Sequence, residues 1–83
     1  MAKNPKSRDI PEDHVKRIKK IGEKIRSLRK KTGLSYESFA YQSGINRITY
    51  FNLEKGKNFN MTTLLKVLDA HGMTLEEFFR ELK

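Results

Sequence analysis

The stretch Ser35–Gly56, SYESFAYQSGINRITYFNLEKG, decides how this chain folds. It divides at Gly44 into two short amphipathic segments. Ser35 is placed to cap the first and Asn46 the second, because a short polar side chain there accepts from amides that have no partner at the open start of a helix. Gly44 supplies the permissive backbone that a tight turn between helices requires, and Gly56 closes the second segment. Phe39 and Ala40 face inward on the first helix, through Ser43, while Tyr50 and Leu53 share one face of the second, which runs to about Lys55. Arg47, Ile48, Phe51, Asn52 and Lys55 then cover an outward surface, with more apolar area than a helix facing only water would carry.

The flanks read as helices too. From Pro11, with Glu12 and Asp13 near the positive helix end, a long helix runs to about Thr32 and stops at Gly33. Val15, Ile18, Ile21, Ile25 and Leu28 recur at three- and four-residue steps and form one apolar stripe, expected to lie in the core. A fourth helix starts after Asn60, carries Leu64, Leu65, Val67 and Leu68, and reaches His71 and Gly72. Thr74-Leu75-Glu76-Glu77 has the spacing of a capping box, with Met73 and Phe78 at staple positions, so a fifth helix follows. No segment keeps a period of two. The reading is an all-α, compact five-helix domain over residues 10–83, with a long N-terminal helix behind a flexible basic arm at residues 1–9.

Eighty-three residues support one core. The chain has no cysteine, which excludes disulfides and thiolate metal sites and points to a reducing, cytoplasmic setting. No apolar run reaches membrane-spanning length, and the lysine-rich start lacks the apolar segment of a secretory signal. Residues 1–31 hold twelve Lys and Arg against four Asp and Glu, whereas residues 32–83 hold six of each, so the whole net charge of +8 sits at the front. Such a surface faces solvent or a polyanion: nucleic acid, an acidic protein or an acidic membrane. His14 and His71 stand apart, no spacing suits a metal, no glycine-rich phosphate loop is present, and the serines lack a base at a recognisable offset. No enzyme, metal or cofactor is expected.

Two short helices joined steeply at a glycine turn inside a small bundle form the helix-turn-helix unit, whose second helix enters the DNA major groove. Arg47 has the fork to bind guanine, Asn52 the amide to bind adenine, and Ile48 or Phe51 the apolar surface for a thymine methyl. Thr49 and the helix starts at Ser35, Tyr36 and Asn46, with Lys55 and Lys57, suit backbone phosphate. Phe51 has a second reading, folded back over the domain as packing.

From about Ile21 to Phe79 the chain resembles the phage repressor and Cro type of helix-turn-helix domain, in GEKIRSLRKKTGLS, FAYQSGIN, NLEKGK and TLLKVLDAHGMTLEEFF. The order Leu34, Ala40, Gly44, Ile45, Leu53, Glu54, Gly56 makes the likeness specific. The resemblance implies that Arg47, Ile48 and Asn52 read bases, and that Arg29 and Glu54 form a partly buried ion pair holding the first helix to the end of the third. The chain departs from the family in carrying Tyr36 where glutamine is usual, and in lacking a proline in GKNFNMTT. The implied function is a sequence-specific transcriptional regulator of double-stranded DNA, a repressor acting as a homodimer on a two-fold operator. Leu75, Phe78, Phe79 and Leu82 of the fifth helix are the expected dimer interface, or else they close the domain's own core. A rival reading is a protein-interaction module, such as the antitoxin of a toxin–antitoxin pair, with Ile48 and Phe51 docking on the partner.

Overall fold

The computed structural model describes residues 11–57 and 59–82. The expected arm at residues 1–9 lies outside them. Five helices follow one another: α1 (Glu12–Thr32), α2 (Tyr36–Ser43), α3 (Arg47–Glu54), α4 (Met61–Ala70) and α5 (Leu75–Glu81). The described residues contain helices and turns, with no strand, and the chain is all-α.

The helix ends follow their local chemistry. Pro11 takes an extended conformation one residue ahead of the helix rather than its first position, with Glu12 and Asp13 in the first turn and Arg29, Lys30 and Lys31 in the last, as the helix dipole favours. Gly44 turns the chain between α2 and α3 at φ 72°, in the left-handed region where a side chain is strained. The Asn60 side chain accepts from the Thr63 amide at the start of α4. Thr74 and Glu77 form the full capping box, each side chain accepting from the other's backbone amide.

The core draws on every helix. Ile25 from α1, Phe39 from α2, Tyr50 and Leu53 from α3, Val67 from α4 and Phe78 from α5 are fully or almost fully buried. His71, capping α4, stacks on Phe39 with ring centroids 4.8 Å apart, and burial pushes its pKa below the usual histidine value. The stripe of α1 is only partly core: Ile25 is buried and Ile21 and Leu28 pack against the core, whereas Val15 and Ile18 are half-buried on the first half of the helix. The helix outruns the bundle it covers, which a regular periodicity does not reveal.

Among the glycines, the tightest surroundings belong to one with ordinary helical backbone. A Cβ on Gly22 would lie 2.5 Å from the Leu53 carbonyl oxygen and 2.7 Å from that of Glu54, so α1 crosses the end of α3 backbone against backbone. Alanine at this position gains helix propensity worth about 1 kcal/mol, but it drives a methyl into carbonyls that cannot move without shifting α3. Gly22→Ala is therefore expected to lower stability by roughly 1–3 kcal/mol. Denaturant unfolding checks this, and a stabilised variant would show that the two helices separate freely.

Candidate nucleic-acid interface

Helix α3 is fixed from behind and from one end. Tyr50 and Leu53 are fully buried on its inner face. At its end Glu54 accepts from Arg29 Nε at 2.6 Å and Nη2 at 3.1 Å, while Arg29 Nη1 donates to the Leu34 carbonyl at 2.8 Å. Both side chains are nearly sealed from water, 12% and 7% exposed. The Glu54 carboxylate raises the pKa of the Arg29 guanidinium, keeping it charged despite burial. Desolvation, reinforced by the neighbouring Glu54 carboxylate, pushes the Tyr50 phenol well above its ordinary value, so the cluster holds one cation, one anion and one neutral hydroxyl.

The outward face of α3 divides into a centre and two flanks, because successive residues are about 100° apart around the axis. Ile48 projects from the centre, 62% exposed, with Lys55 nearly in line about two turns further on. Toward α2, Arg47 Nη1 lies 3.4 Å from Glu37 Oε2, an exposed and weak pair that Arg47 can leave at little cost. On the same flank the Phe51 ring packs at 5.1 Å on Tyr36, with Lys55 Nζ 5.4 Å from its centroid. Phe51 keeps 36% of its surface, so it combines packing with a remaining exposed edge. Toward α4, Thr49 and Asn52 line an open cleft of about 410 Å³ with Phe59, Asn60 and Thr63.

The caps determine which amides remain for an anion. Asn46 Oδ1 accepts from the amides of Ile48 at 2.8 Å and Thr49 at 3.2 Å, and Ser35 Oγ accepts from that of Ser38 at 3.1 Å. Those amides are already satisfied. The first amides of α2, at Tyr36 and Glu37, have no partner among the described residues and point along the positive end of the helix. Lys55 and Lys57 are exposed beyond the end of α3.

A helix-turn-helix family model matches residues 25–78. The chain is 41% identical over 66 residues to the control protein C.MunI of Mycoplasma sp, covering 77% of this chain and 89% of that protein. Its fold also matches the crystal structure of the restriction-modification controller protein C.AhdI of Aeromonas hydrophila, with a TM-score of 0.72 and 34% identity over 81% of this chain and 99% of that one. The chain belongs to the helix-turn-helix family. It is thus a DNA-binding regulator of transcription and not an enzyme. In this helix-turn-helix protein the unit is α2, the turn at Gly44–Asn46, and α3.

The α5 residues divide between the two places open to them, the domain's own core and an exposed face. Phe78 is fully buried and closes the domain's own core, so its ring has nothing to offer a second copy. Leu82 packs partly on that core, and Leu75 and Phe79 are the exposed members, at 38% and 43%. Sequence reasoning missed Glu37 beside Arg47, and the Asn60 and Thr63 wall beside Asn52. The i to i+10 spacing of Glu37 and Arg47 across the turn was the available signal for the first; the second depends on how the start of α4 packs beside α3, which no local pattern states.

Asn46 holds the start of α3 by two hydrogen bonds from one oxygen. Asn46→Ala is expected to cost about 1 kcal/mol of stability and to speed hydrogen exchange at the Ile48 and Thr49 amides. Unchanged exchange there would mean that the turn, and not the side chain, holds the helix start.

Proposed function

We propose that this protein is a sequence-specific controller of transcription that binds a two-fold operator as a homodimer, with α3 in the major groove of each half-site. The observation that carries this reading is the α3 face itself. Arg47, Ile48 and Asn52 stand outward on a helix whose opposite side and far end are locked to the core and to Arg29. Arg47 is the guanine contact, Asn52 the adenine contact, and Ile48 meets a thymine methyl, with the exposed edge of Phe51 beside it. Phosphates are taken by the open amides at the start of α2 beside Ser35 and Tyr36, by the side chains of Asn46 and Thr49 beside the turn, and by Lys55 and Lys57.

One α3 reads only a few base pairs, and pairing two domains through Leu75 and Phe79, rimmed by Leu82, supplies the length of site that specificity needs. The relative C.AhdI supplies the setting, that of a restriction-modification controller protein. A dimer bound over a promoter excludes polymerase, which is the repressor reading. The arm at residues 1–9 adds Lys3, Lys6 and Arg8 as further phosphate contacts. Cytoplasm is the compartment where such a protein meets its DNA.

Selection from a random duplex pool should yield two related half-sites about one helical turn apart. If about six phosphates are neutralised, affinity for the selected duplex should fall roughly a thousandfold between 50 and 200 mM salt. Arg47→Ala should cost about 1–3 kcal/mol on that duplex and relax the preference at one base pair. Equal losses on selected and random duplex would make Arg47 a phosphate contact, and affinity indifferent to salt would turn the reading toward a protein partner.

A further inference from the structure

We infer that the cleft between α1, the start of α2 and the end of α3 receives a DNA backbone phosphate, and that Arg26 of α1 is the residue that grips it; this rests on the DNA-binding reading above. The cleft encloses about 170 Å³ and is lined by Arg26, Arg29, Tyr36, Phe51, Glu54 and Lys55. Arg29 and Glu54 neutralise each other by two charge-assisted hydrogen bonds. The charge the cleft presents outward therefore comes from Arg26 and Lys55, neither of which joins an ion pair among the described residues. Two like charges lining one small concavity repel, and an anion between them removes the repulsion.

The walls set the geometry of that anion. Tyr36 and Phe51 pack together as one aromatic wall, and Lys55 lies against the Phe51 ring, which confines its ammonium to one side. Arg26 brings a planar fork from α1, suited to two oxygens of a phosphate, while the ammonium acts as a point charge on the same group. The cleft is continuous with the outward face of α3, since Phe51 and Lys55 belong to both. When α3 lies in a groove, the anion bordering its outward face is the sugar–phosphate backbone beside the bases being read. Arg26 thus extends the DNA contact onto α1, outside the helix-turn-helix unit, and Phe51 serves as the wall between base and phosphate.

The test compares wild type, Arg26→Ala and Arg47→Ala on the selected operator and on random duplex. Arg26 is exposed, so its replacement should leave circular dichroism and melting unchanged. Affinity should fall about fivefold per half-site near 0.15 M salt on both duplexes alike, and the salt slope should drop by about 0.9 per half-site, the release of one counterion. Replacing single phosphates by neutral methylphosphonates should weaken wild type at one backbone position per half-site that no longer matters to Arg26→Ala. Unchanged affinity and slope in Arg26→Ala, or an altered base preference, overturns the assignment. Saturable binding of inorganic phosphate to the DNA-free protein that is lost in Arg26→Ala while duplex affinity stays unchanged overturns it in favour of a free anion. If Arg47→Ala and wild type do not differ on the operator while Arg26→Ala is weakened, the reading of α3 fails and the phosphate contact stands.

Discussion

The ion pair between Arg29 and Glu54 is the constraint on which the rest of the arrangement depends. One guanidinium joins three segments: its own helix α1, the α1–α2 turn through the Leu34 carbonyl, and the end of α3 through Glu54. A short helix of eight residues has little stability alone, and α3 is helical because its inner face is buried and its ends are held. The pair supplies direction as well as anchorage, because two parallel hydrogen bonds fix the angle of the carboxylate that terminates the helix. Its net contribution to stability is modest once desolvation is counted, whereas loss of one partner leaves a buried charge without compensation.

Close packing near the same place reinforces that direction. Gly22 lets the α1 backbone meet the carbonyls of Leu53 and Glu54, and Gly56, at φ 77°, lies where any side chain would strike Lys19. Helix α3 is thereby held at its end by α1, at its start by Asn46 and along its inner side by Tyr50 and Leu53. What remains free is one arc of surface, and the contacts proposed for α3 with DNA bases lie on that arc. Rigid presentation of this kind lowers the ordering cost of binding.

Much of this was legible because it is local. Ser35, Asn46, Asn60 and Thr74 act within three residues of themselves, so the sequence positions of the caps are also their structural positions. Tyr50 and Leu53 were readable as inward-facing from their spacing. Long-range choices were less so. The regular stripe on α1 says nothing of where the bundle ends, and Val15 and Ile18 lie beyond its best-packed part. Phe78 and Phe79 are adjacent and chemically equal; which of them is buried depends on how α5 meets the core, and Phe78 takes that place while Phe79 meets it edge-on. Gly22 carries no local sign of what it meets, because its partner is more than thirty residues away. The packing of Phe51 on Tyr36 likewise joins two helices, and it leaves Phe51 with one packed face and one exposed edge.

The dependence of α3 on the ion pair is tested most directly by a double-mutant cycle over Arg29→Ala, Glu54→Ala and the pair of them, followed in denaturant unfolding and in operator affinity of the folded fraction. Each single replacement should cost roughly 3 kcal/mol, and the double little more than either, since removing the second partner leaves no further unpaired charge. Affinity should fall in all three variants, because none retains the fixed angle of α3. Additive losses in stability, or full operator affinity in the double variant, would contradict it: α3 would then be held by its buried face alone.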